Sequence, residues 1–264
     1  MITMDMTGKV ALITGSTKGI GKGVAELFAK SGANVVVVGR NQDEANAVAK
    51  EISEKFGKEA LGLKMDVSVE AEITAGFKKI TEKFGRLDAL INNAGIQIIK
   101  PFDEFDFENE WKKLMSINVD GVFLASKEAF KIMKTQPAGG KIITIGSIHS
   151  FLVSPNKGAY CTAKHALLGM TRSIAKDGGK YNIAANLVGP AFVLTDLVRN
   201  QIKDRVKFEG LSEEEVMKAM VKDTVDSKFT TEEEVASLCL FLASAPGNAY
   251  TGQSMMVSHG WGMQ

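Results

Sequence analysis

The chain has 264 residues, 45% of them hydrophobic and 24% charged, which is typical of one globular domain with a sizeable core and excludes a disordered or fibrous protein. Its 32 Lys and Arg residues nearly balance its 31 Asp and Glu residues, so no overall field favours nucleic acid or an anionic membrane as a partner. No apolar run approaches the roughly 18 residues of a membrane-spanning helix, and residues 1–10 lack a signal peptide, so we expect a cytoplasmic protein.

Short β-branched segments alternate with longer amphipathic segments along the chain. Strands are predicted at 10–14, 34–38, 60–65, 89–92, 141–145, 183–188 and 254–257. Helices are predicted at 20–30, 42–56, 70–84, 110–134, 159–176 and 232–243. Because strands and helices alternate throughout, the sequence predicts a single Rossmann-type α/β domain, with a doubly wound, seven-stranded parallel sheet and helices on both faces.

One irregular region, at about 194–228, lies between the last two predicted strands and contains charged, Met-containing helical pieces. Ligands of open α/β sheets bind beyond the carboxyl ends of the strands, so a segment that follows such an end is a candidate substrate lid. The alternative is a surface helical hairpin without a role in binding.

Glycines occupy the first strand-to-helix junction, where residues 14–21 read Thr-Gly-Ser-Thr-Lys-Gly-Ile-Gly. Glycines let the backbone approach a pyrophosphate, whose charge is favoured by the free N–H groups at a helix N-terminus. The spacing differs from Gly-x-Gly-x-x-Gly, and ordinary turn glycines are the alternative. The loop residues predicted to bind a dinucleotide are Gly15, Thr17, Lys18, Gly19, Ile20 and Gly21.

Arg40 comes just past the second predicted strand, where an NAD site usually carries an acidic residue for the adenosine ribose. Lys18 and Arg40 are instead a suitable pair for a 2′-phosphate, so NADP(H) is favoured over NAD(H). Arg40 alone would equally suit a solvated loop.

Two further strand ends carry residues suited to a dinucleotide. Asp66, followed by Val67, can accept a hydrogen bond from an adenine amino group. Small residues of the Asn-Asn-Ala-Gly run at 92–95 leave room beside the sheet for a cofactor, although this run can also be a simple turn. We therefore add Asp66, Val67, Asn93, Ala94 and Gly95 to the predicted cofactor site.

Tyr160 and Lys164 lie one helical turn apart, so an ammonium group is placed near a phenol and can stabilise the phenolate. A tyrosine, with an ordinary pKa of about 10, thereby becomes an acid/base usable near neutral pH. The Tyr-x-x-x-Lys pattern is common by chance on helices. Together with Ser147 and the N-terminal glycine loop, however, it is specific.

On these motifs, with Asn118 of Asn-Val-Asp-Gly, the chain resembles the short-chain dehydrogenase/reductase family along essentially its whole length. The resemblance implies that Ser147 polarises a substrate carbonyl and Tyr160 transfers the proton. It also implies that Lys164 binds the nicotinamide ribose and Asn118 holds a water of the proton relay.

Family analogy also places Pro190, Val193 and Thr195 beside the nicotinamide, with Val193 and Thr195 at its carboxamide. The sequence departs from the family in two loops. Gly-Pro-Ala at 189–191 replaces the usual Pro-Gly, and Ser-His-Gly at 258–260 replaces Asp-Gly-Gly. These departures put the local loop shapes in doubt rather than the chemistry.

Within the family the chain is most similar to the bacterial D-3-hydroxybutyrate dehydrogenases, through Asn-Asn-Ala-Gly-Ile-Gln at 92–97, Ser-x-His at 147–149, Asn-Lys-Gly-Ala-Tyr at 156–160, the segment 197–202 and Gly-Trp at 260–261. The resemblance implies that Gln97, His149, Lys157 and Gln201 hold a substrate carboxylate beside Ser147 and Tyr160. Phe192 stands where those relatives have Trp, so pocket size can differ. Each of these residues also has a structural alternative, such as a solvated lysine or a packing histidine.

Three functions stay open: a dehydrogenase of 3-hydroxybutyrate or a similar small 3-hydroxy acid, a reductase of another carbonyl such as a 3-oxoacyl thioester, sugar or steroid, and a non-catalytic dinucleotide sensor. Loss of Tyr160 or Lys164 would mark the sensor, and neither is lost. We expect no metal site and no disulfide, since Cys161 and Cys239 are too few for either framework. Family resemblance suggests a homotetramer built partly from the helices at 110–134 and 159–176.

Overall fold

A seven-stranded sheet forms the centre of the chain in the computed structural model, which describes residues 4–263 without the Phe208 side chain. Its strands are β1 (Val10–Ile13), β2 (Asn34–Gly39), β3 (Ala60–Lys64), β4 (Ala89–Asn92), β5 (Gly140–Ile145), β6 (Ile183–Pro190) and β7 (Ser254–Val257). All neighbours pair in parallel, in the order β3-β2-β1-β4-β5-β6-β7. The predicted doubly wound sheet is therefore confirmed.

Both faces of the sheet are covered, which explains why its strands read as continuous apolar runs. Leu12, for example, pairs with Val36 on one side and Leu90 on the other, and all three side chains are fully buried. One apolar cluster lies on each face of the sheet.

Nine α-helices surround the sheet, within residues 4–263. They are α1 (Gly19–Lys30), α2 (Gln42–Phe56), α3 (Glu70–Phe84), α4 (Lys112–Met115), α5 (Gly121–Met133), α6 (Gly158–Gly178), α7 (Asp196–Glu209), α8 (Glu213–Val221) and α9 (Glu232–Ser244). Their ends follow local sequence chemistry: Asn41 accepts hydrogen bonds from two first-turn amides of α2, and Thr231 forms a capping box with Glu234 at α9. None of these helices is both long and apolar enough to cross a membrane.

The helix predicted at 110–134 is not continuous in the structure. Two π-helical turns, Phe107–Trp111 and Ser116–Asp120, flank the short α4 before α5 begins. The second turn contains Asn118, whose side chain is drawn inward to hydrogen-bond with the Ile96 backbone. Such turns are frequent at functional sites, and amphipathic spacing alone does not reveal them.

The strand order reverses at β1 and β4, and the loops that leave the sheet there open a crevice at its carboxyl edge. The segment 194–228, which is the candidate lid and is called the lid only for brevity, follows β6 at the same edge. Its helices α7 and α8 pack on each other through Val198, Ile202, Val216 and Met220.

Candidate active site

A cavity of about 1010 Å³ lies along the carboxyl edge of the sheet, beneath the lid. It is the place where the predicted site residues from distant parts of the sequence meet. Those that line it are Gly15, Thr17, Lys18, Gly19, Ile20, Arg40, Asp66, Val67, Asn93, Ala94, Gly95, Gln97, Ser147, His149, Lys157, Tyr160, Lys164, Pro190, Phe192, Val193, Thr195 and Gln201. Gly21 and Asn118 do not line it.

The glycine loop has the shape and polarity of an anion cradle. Gly15 and Gly19 adopt φ values of 63° and 59°, a region that other residues avoid. The loop leads into α1, whose N-terminus has no side-chain cap and no acidic residue in its first turn. Its amide groups and dipole are therefore available to a pyrophosphate, and these residues fit a dinucleotide.

Gly21 supports this cradle from behind. A Cβ atom on Gly21 would lie 2.5 Å from both the Asn93 Nδ2 atom and the Gly15 carbonyl oxygen. Asn93 Nδ2 in turn donates to the Thr14 and Gly15 carbonyls, and the Thr14 hydroxyl accepts from the Asn93 amide at 2.9 Å. The Asn-Asn-Ala-Gly run is thus joined to the glycine loop by hydrogen bonds, so it does more than form a turn.

Lys18 and Arg40, the two residues predicted to bind a 2′-phosphate, lie near different acidic residues. Lys18 Nζ lies 3.4 Å from Asp196 Oδ2 at the start of α7, with both side chains exposed. Arg40 lies close enough to Asp66 for its charge to contribute to a lowered pKa of Asp66, although hydrogen bonding from the Ser68 side chain is the larger cause. The Asp66 Oδ1 atom accepts from the Ser68 amide and hydroxyl at 2.9 and 2.7 Å.

Ser147, Tyr160 and Lys164 lie together at the end of β5 and on the first turns of α6. Burial raises the pKa of Tyr160 to about 12, against an opposing hydrogen bond with Ser147. Burial also lowers the pKa of Lys164 to about 8, and Lys164 Nζ donates to the Ile145 carbonyl at 2.8 Å. The phenol is therefore protonated at neutral pH, with a buried cation beside it, and the lowering of its pKa toward neutrality that the sequence led us to expect is not found.

His149 is a neutral histidine held between two serines. Its Nδ1 atom lies 3.3 Å from Ser147 Oγ and its Nε2 atom 2.9 Å from Ser154 Oγ. Burial, with the nearby charge of Lys157 as a further cause, lowers the pKa of His149 to about 4. A neutral ring can orient the Ser147 hydroxyl without adding a charge to the site.

Asn118 engages both polar atoms of its side-chain amide with the backbone of one residue. Its Oδ1 atom accepts from the Ile96 amide and its Nδ2 atom donates to the Ile96 carbonyl, each at 2.8 Å. The side chain therefore holds the segment between Gly95 and Gln97 in place. The predicted role of Asn118 in a proton relay stays a prediction.

A buried lysine lies at the far end of the cavity. Lys157 is only 6% exposed, and burial lowers its pKa to about 8. Its Nζ atom lies 5.1 Å from the centroid of the Phe192 ring, and no Asp or Glu within residues 4–263 is among the groups that shift its pKa. Gln97 Nε2 and Gln201 Oε1 are buried there without hydrogen-bond partners. The Lys157 ammonium and the Gln97 amide N–H suit an anionic, hydrogen-bond-accepting ligand, whereas Gln201 Oε1 needs a donor such as a hydroxyl group.

Several lining residues lay outside the predicted site, among them Trp261, Asp196 and Glu232. Trp261 stacks on Phe192 with ring centroids 5.3 Å apart, and only the Gly-Trp resemblance pointed toward it. Asp196 and Glu232 line the cavity from the first turns of α7 and α9. Acidic residues in first turns are ordinary for any helix, so nothing local in the sequence marked these two.

Comparison with known proteins places relatives over nearly the whole chain. A family model described as short chain dehydrogenase matches residues 9–206. The D-beta-hydroxybutyrate dehydrogenase of Rhizobium meliloti (strain 1021) is 36% identical, with 97% of this chain and 99% of that protein covered. A 3-oxoacyl-(acyl-carrier-protein) reductase of Aquifex aeolicus is 33% identical, with 97% of this chain and 98% of that protein covered.

A solved structure gives the same fold. It is a gluconate 5-dehydrogenase from Burkholderia cenocepacia J2315 in complex with NADP and tartrate, with a TM-score of 0.90 and 31% identity. The alignment covers 98% of this chain and 97% of that chain.

Proposed function

This chain belongs to the short-chain dehydrogenase/reductase family and is therefore an oxidoreductase that uses a nicotinamide dinucleotide as cofactor. We propose that it interconverts a small 3-hydroxy acid and the corresponding 3-oxo acid. The 3-hydroxybutyrate/acetoacetate pair is our first candidate. The observation that carries this proposal is Lys157, a buried and unpaired cation in the same cavity as Ser147 and Tyr160. The 36% identical hydroxybutyrate dehydrogenase supports it.

Proton transfer is the task proposed for Tyr160. When bound, the nicotinamide ring supplies or accepts the hydride. In the reducing direction the Tyr160 hydroxyl donates its proton to the substrate oxygen, while the Ser147 hydroxyl, oriented by His149, donates a hydrogen bond to the same oxygen. The Lys164 ammonium stabilises the phenolate that remains, and in the oxidising direction the proton returns to it.

Substrate orientation is the task proposed for the group around Lys157. A carboxylate beside Nζ would form a charge-assisted contact in a site that excludes most water, and the Gln97 amide would donate a further hydrogen bond. Gln201 reaches this place from α7 of the lid. We therefore propose that the lid at 194–228 closes over the bound acid, with Phe192 and Trp261 as its apolar wall.

Arg40 and Lys18 support NADP(H) over NAD(H) as the cofactor. Arg40 lines the cavity at the end proposed for the adenosine, at the position where an NAD site usually carries an acidic residue. Its guanidinium is suited to a 2′-phosphate. Lys18 would leave its ion pair with Asp196 and bind that phosphate instead.

We further propose a homotetramer, with α5 and α6 contributing to its interfaces.

Turnover of 3-hydroxybutyrate with NADP and with NAD, side by side, tests the proposal. A panel of a 3-oxoacyl thioester, a sugar and a steroid ketone serves as the comparison. Clear activity on the small acid is the expected result. Strong turnover of a bulky neutral ketone with none of acetoacetate would favour a reductase of another carbonyl. Dinucleotide binding without turnover of any carbonyl would favour a sensor.

A further inference from the structure

A histidine in the C-terminal turn bridges two carboxylates from separate elements. The His259 Nδ1 atom lies 2.9 Å from Asp226 Oδ2, and its Nε2 atom lies 3.3 Å from Glu234 Oε2. Asp226 lies at the end of the lid, and Glu234 lies in the first turn of α9. We call Asp226, Glu234 and His259 the clasp.

The backbone at the clasp is strained, which indicates that the contacts are strong enough to hold it. His259 has a φ of 49°, and Ser227, beside Asp226, has a φ of 56°. Residues other than glycine adopt this left-handed region only at a cost in free energy, which neighbouring interactions must offset.

The turn that carries His259 also carries Trp261. The Trp261 amide donates a hydrogen bond to the Ser258 carbonyl at 3.0 Å, and the Val225 amide donates one to the His259 carbonyl at 2.8 Å. The Trp261 ring stacks on Phe192 and meets the His149 ring edge-on at 6.1 Å. A shift of the His259 turn is therefore passed to the wall of the substrate cavity.

We propose that His259, as its imidazolium, is a positioning residue: it joins the lid to α9 and thereby fixes Trp261 against the substrate cavity. The inference rests on the proposed function only in treating this wall as the substrate site. Residue His259 itself does not line the cavity, so it acts through Trp261.

The charges around the ring favour its protonated form. Within residues 4–263 the charged groups that face it are Asp226 and Glu234, with Lys228 beside Asp226. Burial lowers the pKa of His259, but the hydrogen bonds and charges of Asp226 and Glu234 together raise it above the ordinary 6.5. Since the pKa is raised in the folded state, the clasp is complete below pH 6.5 and is lost as the pH rises through that raised value.

Trp261 fluorescence provides a test that needs no substrate. In a Trp111→Phe background Trp261 is the remaining tryptophan, and its emission is followed from pH 6 to pH 9. We expect a shift to longer wavelength as His259 loses its proton. In His259→Asn, which tolerates the left-handed conformation, the emission should start at the longer wavelength and lose the part of the step that comes from His259. A step identical to that of the parent would overturn the proposal, because the step would then come from groups that titrate in both proteins, such as Lys157.

Glu234→Gln is the matched variant if His259→Asn proves unstable. The side-chain oxygen of a glutamine can still accept the capping hydrogen bond from the Thr231 amide, but the substitution removes one negative charge from the clasp. At pH 6.5 we expect either variant to raise the KM of the keto acid about two- to fivefold, because a partly exposed ion pair contributes only a modest stabilisation. The Kd of the dinucleotide should stay unchanged. A KM equal to that of the parent at every pH, or a change in dinucleotide Kd alone, would contradict the positioning role. Inactivity of the parent with a normal fluorescence step would instead contradict only the proposed function.

Discussion

Lys164 Nζ lies 5.6 Å from the centroid of the Tyr160 ring, one turn away on α6; Lys164 is buried and Tyr160 is partly buried. The same burial that raises the pKa of Tyr160 to about 12 lowers that of Lys164 to about 8. The pair therefore starts as a neutral acid beside a cation, which is the arrangement that reduction of a ketone needs.

Replacing Tyr160 by Phe should abolish turnover while the dinucleotide still binds. Only the transferable proton is removed, so we expect kcat to fall by about 10²-fold or more. Steady-state assays give kcat, and dinucleotide fluorescence gives the Kd. Retention of more than about a tenth of kcat would show that another group supplies the proton.

Lys164→Met should instead weaken both turnover and cofactor binding. The variant keeps an apolar stem in the buried site but removes the charge that stabilises the phenolate and the proposed contact with the nicotinamide ribose. The same two assays measure both effects. A normal dinucleotide Kd with reduced kcat would exclude the ribose contact and leave the phenolate role.

Arg40→Ala should raise the Kd of NADPH by about tenfold and change that of NADH little, because only NADPH carries the 2′-phosphate. Lys18→Met should act in the same direction. Asp196→Asn is the matched control: it removes the ion-pair partner of Lys18, so NADPH affinity should be retained or improved. Equal losses for the two cofactors would mean that the cations only stabilise the loop.

The lowered pKa of His149 predicts that the free energy of unfolding decreases in acid. Its pKa is about 4 in the folded protein and about 6.5 when unfolded, so between these values the unfolded chain binds more protons. The stability that neutral His149 allows is complete above pH 6.5 and is lost as the pH falls toward 4, by about 3 kcal/mol. Urea titrations at several pH values should show a smaller loss in His149→Gln. Identical slopes would mean that the ring takes up a proton without cost.

The sequence predicted the sheet and most helices because buried parallel strands and amphipathic helices leave strong periodic signals. The resemblance to known dehydrogenases supplied most of the proposed site, since Gln97, His149, Lys157 and Gln201 carry no motif of their own. Other features depend on tertiary contacts. The π-helical turn at Asn118 follows from its hydrogen bonds to a loop 22 residues away, and the pairing of Lys18 with Asp196 joins residues 178 positions apart.

The most direct test of the central claim compares acetoacetate with its uncharged methyl ester in the parent protein and in Lys157→Met. Methionine keeps an unbranched apolar stem against Phe192 but offers no charge to a carboxylate.

Since loss of a charge-assisted contact costs about 1.5–3 kcal/mol, kcat/KM for acetoacetate should fall by about tenfold or more. The value for the ester should change by less than about twofold, because it has no carboxylate for Lys157 to meet. An unaffected acid, or equal losses for acid and ester, would contradict the assignment of a hydroxy acid substrate.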